Sequence, residues 1–343
     1  MGSRVTILDV MREAGVGIGT VSRVLNNSPH VSQEKRKRVM EVAKRLNYQP
    51  HTYAQRLARR QAETISAIIP FFSTYFFATV LHGVQDRSSE FGYDLVLYGV
   101  NHVDQMESHI SSALQRGKVD GLLFFSMKLP PKTVPRLKES KLPVVLVDTS
   151  LPEFDSISVA NAEGAYTAVR HLIQLGHRSI GMIGARSVST PATERLDGYK
   201  RALNEQGLVF CEDLVKVGNT IKFDGFNREA GYEAMVEFIK MGSDMPRAFF
   251  ISSDIQAMGA IAALTENGFS VPEDVAIVGF DDIELAEYFK LTTMRQPMYQ
   301  MGALAVERLV KRMSSPDMEI LHTTFSPTLV VRDSCGALNR SRD

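Results

Sequence analysis

Charged and aromatic residues stand at the ends of apolar runs through much of this chain. Asp148 follows Val144–Val147, Ser253-Asp254 follow Ala248–Ile251, and Asp281 follows Val275–Val278. A carboxylate so placed can accept hydrogen bonds from two hydroxyls, and Arg195 can donate in a fork. Phe72, Phe76, Phe77 and Phe226 could stack on the face of a sugar or a base. The plainer reading puts phenylalanines after a strand in the core and makes a single Asp at a strand end a helix cap. No catalytic constellation accompanies these residues: the sequence contains no G-x-S-x-G, no H-E-x-x-H and no phosphate loop ending G-K-[ST]. The eight His are scattered, and His177 in L-G-H-R suits a helix-to-strand turn better than a catalytic base.

The elements that must hold these groups alternate. Candidate strands are Thr64–Ile69, Tyr93–Tyr98, Val119–Phe125, Val144–Val147, Ile157–Val159, Ser179–Ile183, Leu214–Val217, Ala248–Ile251, Val275–Val278, Thr292–Arg295 and Thr328–Val331. Amphipathic segments such as Ala78–Phe91, Gly164–Leu175 and Gly231–Met241 lie between them. Repeated β-α-β units imply parallel sheets with helices on both faces. Two such sheets, with ligand at the carboxyl ends of their strands, make a cleft.

The first sixty residues read differently. Thr6 is an N-cap with Asp9 three residues on, and Ile7, Val10, Met11 and Ala14 form an apolar stripe that Gly15 ends. A second helix begins near Gly17, with Val21, Val24 and Leu25 inside and Ile18, Gly19, Ser22, Arg23 and Asn26 outside. Two short helices joined by a glycine-containing turn form a helix-turn-helix, whose second helix enters the DNA major groove. An ordinary packed pair is the alternative; a nucleotide-binding glycine loop fails on spacing and on the absence of a preceding strand. Val39, Val42, Ala43 and Leu46 repeat the stripe in a third helix capped by Ser32, and Asn47-Tyr48-Gln49-Pro50 ends it. His51–Arg60 is short, helix-prone and marginal without a partner, so it is either a connector or a hinge that folds on DNA.

Charge separates the two parts. Of 39 basic and 39 acidic residues, 12 and 4 fall in residues 1–60, leaving a head of net +8 and a remainder of net −8. That is the footprint of a nucleic-acid module on a body that does not bind DNA. With no signal-peptide pattern and no apolar stretch long enough for a bilayer, the chain is expected in the cytoplasm, associated with the nucleoid and without membrane contact. Cys211 and Cys335 do not make a disulfide framework, and neither has metal-ligand spacing. No cofactor or metal is expected.

V-T-I-x-D-V at Val5–Val10, A-G-V at Ala14–Val16, T-V-S-R-V-L-N at Thr20–Asn26 and L-N-Y-x-P at Leu46–Pro50 together resemble the head of the lactose- and galactose-repressor (LacI/GalR) family. The likeness runs on through E-R-L-D-G-Y at Glu194–Tyr199, V-P-E-D-V-A-I-V-G-F-D-D at Val271–Asp282 and L-V-V-R-D-S-C at Leu329–Cys335. It implies an all-α helix-turn-helix head (1–50), a hinge helix and linker (51–61) and an α/β periplasmic-binding-protein-like core of two doubly wound parallel-sheet subdomains. Their expected bounds are 62–162 with 293–325, and 163–292 with 326–335, within a core of 62–343.

The resemblance implies DNA contacts at Thr6, Ile18, Gly19, Thr20, Ser22, Arg23, Asn26, Tyr48, His51, Ala54, Leu57 and Ala58, with Leu57 as a minor-groove wedge. It implies effector contacts at Phe72, Thr74, Phe76, Phe77, Asp148, Arg195, Phe226, Ser253, Asp254, Asp281 and Gln296. Where the family usually carries Ser and polar residues, this chain has Gly17, Ile18 and Gly19. The expected protein is a homodimeric repressor of near-palindromic operator DNA, gated by a sugar or sugar derivative. A nucleobase- or nucleoside-responsive regulator is the runner-up, and a solute-binding receptor the third reading. Without leucine heptads after Cys335, a tetramer built on a C-terminal coiled coil is not expected. No residue pattern speaks to docking of a phosphocarrier protein.

Overall fold

The computed structural model describes residues 5–25, 28–48, 62–70, 74–100, 103–115, 117–186, 189–220 and 222–337. Asn26, Phe72, and the hinge positions His51, Ala54, Leu57 and Ala58 lie outside them. The chain forms two compact units that divide between Glu63 and Thr64.

Among its described residues the first unit holds three helices, α1 (Ile7–Ala14), α2 (Ile18–Leu25) and α3 (Gln33–Arg45). Val10, Ala14, Val21, Val24, Val39, Val42 and Ala43 close into one small core, which is the stripe periodicity realised. Gly15 takes φ +62° to end α1, a conformation that favours glycine. The Gly17 carbonyl accepts from the Thr20 and Val21 amides to start α2.

In the second unit, one lobe carries β1 (Thr64–Ile69), β2 (Asp94–Gly99), β3 (Gly121–Phe125), β4 (Val144–Val147), β5 (Asp155–Val159) and β11 (His322–Phe325), in the order β11-β5-β4-β3-β1-β2 and all parallel. The other carries β6 (Gly181–Ile183), β7 (Val215–Lys216), β8 (Ala248–Ile251), β9 (Ala276–Asp281), β10 (Thr292–Arg295) and β12 (Thr328–Val330), ordered β12-β10-β9-β8-β6-β7 with β12 antiparallel to β10. Every residue of β1, β3, β4, β8 and β9 is buried, and these strands are apolar apart from Thr64 and Ser66 in β1 and Asp281 at the end of β9. Successive residues feed opposite layers: Leu123 and Phe125 join the core on one face of the sheet, Leu122 and Phe124 that on the other.

Two expectations need correction. His322–Phe325 is a strand, although its polar pattern gave no sign; it lies at the sheet edge with its side chains partly in solvent. Thr293–Arg295 pairs with β9 and β12, so it belongs to the second lobe and the chain returns to the first lobe after Arg295.

The lobes are joined by three crossovers: Ala160 between β5 and the helix Asn161–Gln174, Gln296-Pro297 between β10 and the helix Met298–Ser314, and Ser326-Pro327 between β11 and β12. The helix Met298–Ser314 packs on the helix Tyr75–Glu90 through glycines on both sides. A Cβ on Gly302 would lie 2.0 Å from the Val80 carbonyl oxygen, and one on Gly83 2.1 Å from that of Tyr299. Gly302→Ala should therefore destabilise the core by about 1–3 kcal/mol, the overpacking penalty exceeding the helix-propensity gain of about 1 kcal/mol. Urea denaturation of the full chain reads this as a lowered midpoint.

Candidate functional site

The carboxyl ends of both sheets face one cavity. Its walls comprise Pro70, Thr74, Tyr75, Phe76, Phe77, Ser126 and Asp148 from the first lobe, and Ser189, Pro191, Arg195, Asp224, Phe226, Ser253, Ile255, Asp281 and Ile283 from the second. The space open to the centres of water-sized molecules is ≈ 70 Å³, room for roughly five waters at about 10–15 Å³ each. Four residues at strand ends depart from ordinary backbone geometry: Ser126 (φ 49°), Asp148 (φ 57°), Asp281 (φ 121°) and Asp282 (φ 58°). Strain of this kind concentrates at binding sites, where surrounding structure holds it in place.

Arg195 organises the polar groups. It is 3% exposed, lies over the Phe280 ring at 3.8 Å and is 5.8 Å from the Phe226 centroid. Its Nε donates to Asn161 Oδ1 (2.9 Å), while Nη1 donates to the Ser252 carbonyl and sits 3.5 Å from Asp281 Oδ1. Asp281 also accepts from Gln296 Nε2 (2.7 Å), and Asp148 Oδ2 accepts from the Ser126 hydroxyl (2.7 Å). Among the described residues, Asp148 Oδ1 and the Ser189 hydroxyl, both on the cavity wall, are buried without a hydrogen-bond partner, with the Asn161 side chain close enough to Asp148 to lower its carboxyl.

Burial pushes the Asp148 carboxyl up to about 6, against the Ser126 hydrogen bond and the Arg195 charge. Burial likewise pushes Asp281 up to about 7, with Arg195 and Gln296 opposing. The same desolvation lowers Arg195, offset chiefly by Asp281 and then Asp148. One guanidinium thus faces more carboxylates than it can neutralise.

Thr74, Phe76, Phe77, Asp148, Arg195, Phe226, Ser253 and Asp281 come together on the cavity wall, Asp148, Ser253 and Asp281 from strand ends, Arg195 from within the helix Thr190–Glu205 and Thr74, Phe76 and Phe77 from the start of the helix Tyr75–Glu90. Asp254 and Gln296 do not line it. Asp254 spends its oxygens on the Thr293 hydroxyl (2.6 Å) and the Ile283 amide (3.0 Å), tying its helix to the sheet, and burial raises it well above the usual carboxylate range. Gln296 reaches the site only through Asp281. Ser126, Ser189 and Asp224 were missed. Ser126 follows an apolar run just as Asp148 does, so the same rule would have found it; Ser189 holds the N-cap position of the helix Thr190–Glu205 and Asp224 lies in the 3-10 helix Lys222–Gly225, and no apolar periodicity marks either.

On the head, α2 buries Val21 and Val24 and leaves Ile18 (48% exposed), Gly19 and Arg23 in solvent, with Thr20 and Ser22 half-buried. Thr6 donates both its amide and its hydroxyl to Asp9 Oδ2 (2.8 and 2.7 Å), which holds the Asp9 carboxyl below its ordinary range. Tyr48 is half-buried, and burial raises its phenol. Lys35 and Lys37 are exposed, whereas Arg36 is committed to the Ser28 carbonyl.

Comparison with known proteins now decides the family. Residues 6–51 match the bacterial regulatory proteins of the lacI family, and residues 169–335 match a periplasmic binding protein-like domain. The chain is 36% identical over 338 residues to the HTH-type transcriptional regulator RegA of Clostridium acetobutylicum, covering 96% of this chain and 99% of that one. This protein belongs to the LacI family. It is a DNA-binding transcriptional regulator with an effector-binding core, and not an enzyme. Another LacI-family relative, the repressor PurR of Mannheimia succiniciproducens, is 33% identical over 335 residues (96% and 98% coverage). Among solved structures, a complex of the regulator CelR with cellobiose matches at 31% identity and TM-score 0.72, covering 96% of this chain and 100% of that one. The lac repressor dimer bound to operator and the anti-inducer ONPF matches at 26% identity and TM-score 0.82 (97% and 99% coverage). Among the described residues, no helix of this LacI-family chain is long and apolar enough to cross a membrane.

A carboxyl whose folded pKa is raised keeps its proton where the unfolded chain has lost it. Stability therefore falls as pH rises from 3.8 through about 6 at Asp148. Asp148→Asn keeps an acceptor for Ser126 and removes that fall. Urea titrations should find the variant more stable than wild type at pH 7 by up to about 3 kcal/mol, with the gain fading towards pH 4.

Proposed function

We propose that a neutral, monosaccharide-sized polyol held in the cleft controls the operator affinity of a homodimer. The observation that carries this reading is Asp148 Oδ1, a buried carboxylate oxygen on the cavity wall with no hydrogen-bond partner among the described residues, alongside the Ser189 hydroxyl in the same condition. An unmade buried hydrogen bond costs about 1–3 kcal/mol, so a ligand hydroxyl that donates there recovers that amount. Charge selects against anions: Asp148, Asp224 and Asp281 line the cavity, Arg195 is the one cation among the described residues of its wall, and that guanidinium already serves Asn161, Ser252 and Asp281. Phe76 and Phe226 offer apolar faces to the carbon face of a pyranose. The likeness to CelR in complex with cellobiose supports a sugar. A nucleobase is the second reading, favoured by the likeness to PurR and by the same aromatic walls.

The head, acting in the cytoplasm, reads a near-palindromic operator through α2, and residues 51–61 form the hinge that folds on it, with Leu57 as wedge. Exposed Ile18, flanked by two glycines, meets a thymine methyl. The likeness to the operator-bound lac repressor dimer supports pairing of two copies. Domain bounds of 1–50, 51–61 and 62–343 follow from this reading.

A thermal-shift screen of neutral sugars, sugar phosphates and nucleobases tests the ligand class, because a ligand specific to the folded state raises the melting temperature. Neutral sugars should stabilise and alter operator binding in fluorescence polarisation, sugar phosphates should not, and Asp148→Asn should weaken the active sugar at least tenfold. Stabilisation by a nucleobase and by no sugar would replace the first reading with the second. On the DNA side, a Cβ at Gly19 meets nothing nearer than Arg23 Nη2 at 3.8 Å. Gly19→Ala should stabilise the head by up to about 1 kcal/mol, yet weaken operator binding if a base edge approaches that backbone; unchanged affinity would remove the close-approach role.

A further inference from the structure

Two of the three crossovers end in a buried amide that grips the same ion pair. Asn161 follows the first crossover and is 2% exposed. Its Nδ2 donates to the Val159 carbonyl on β5 (3.3 Å) and to Glu194 Oε2 (3.1 Å), while its Oδ1 accepts from Arg195 Nε. One side chain therefore links a strand of the first lobe to the cleft guanidinium of the second. Gln296 opens the second crossover and is 3% exposed. Its backbone amide donates to the Asp281 carbonyl (3.2 Å), its Nε2 to the Asp281 carboxylate (2.7 Å), and its own carbonyl accepts from Met298, the first residue of the helix that returns to the first lobe. Arg195 and Asp281 close the circuit at 3.5 Å.

We propose that Asn161 and Gln296 are positioning residues that convert the state of the Arg195–Asp281 pair into the angle between the lobes. A ligand that pulls on either charge must reorganise the amides, and each amide is covalently continuous with a crossover. The physical requirement is an element with two arrangements that both sites bias, and the crossover pair with its amides is that element. The idea rests on the cleft being the effector site, but its test needs no effector.

Two spin labels, on Cys introduced at exposed Glu139 in the first lobe and exposed Lys240 in the second, report the angle in the full chain. Cys211, which is exposed, is replaced by Ser, and labelled chain is diluted with excess unlabelled chain so that one labelled copy sits in any assembly. Wild type should give one narrow distance distribution. Asn161→Leu and Gln296→Leu should each shift or broaden it, and Gln296→Asn, which keeps an amide but is one methylene short, should reproduce the Gln296→Leu shift if that variant folds poorly. Tyr199→Phe, which loses a buried bond to the Ile180 carbonyl within the second lobe, should leave it unchanged. Gln296→Leu added to Asp281→Asn should produce no further shift. Wild-type distributions in both amide families, or additive shifts in the double variant, overturn the proposal. A ligand screen that finds no sugar leaves this result standing, so the two failures are distinguishable.

Discussion

A guanidinium removed from water among carboxylates is the constraint on which the core depends. Burying an ion costs several kcal/mol even after relaxation, and that is offset only where geometry supplies partners. Arg195 is supplied from every side: Asn161, the Ser252 carbonyl, Asp281 and the flat face of Phe280. Those partners come from separate stretches of chain, the ends of β8 and β9 and the start of the helix Asn161–Gln174, so Arg195 is fully partnered only when these stretches have come together.

The carboxylates show the opposite economy. Asp254 is fully satisfied and serves the sheet, whereas Asp148 keeps one oxygen without a partner beside the cavity. Both are buried acids at strand ends, and only the second is left incomplete. Strained backbone at Ser126, Asp148 and Asp281 marks the same rim.

Much of this was legible before any coordinates. Thr64–Ile69, Val144–Val147, Ala248–Ile251 and Thr292–Arg295 coincide with their strands residue for residue; Val144–Val147 and Ala248–Ile251 are central parallel strands, buried on both faces and apolar throughout. His322–Phe325 was invisible for the converse reason: an edge strand half in solvent needs no apolar run. Strand-end logic reached Asp148, Ser253 and Asp281 on the cavity wall, while Arg195 and the aromatic residues came from the family resemblance, and it could not tell Asp254 from Asp281. That difference lies in partners from distant segments, Thr293 and Ile283 for one and Arg195 and Gln296 for the other. Ser189 holds a helix N-cap position and Asp224 lies in a four-residue 3-10 helix, and neither is marked by an apolar period in the chain.

Three tethers between two bodies leave few ways to move. At the first crossover Gly164 has no side chain because a Cβ would sit 2.7 Å from Pro327 Cγ of the third, so these two passages lie against each other. Bodies joined by adjacent passages cannot slide apart or roll freely; what remains is torsion about the line the passages share. A rotation of that kind swings the far end of each lobe through a longer arc than the rim of the cavity, so a sub-ångström adjustment at the rim is geared up with distance from the axis.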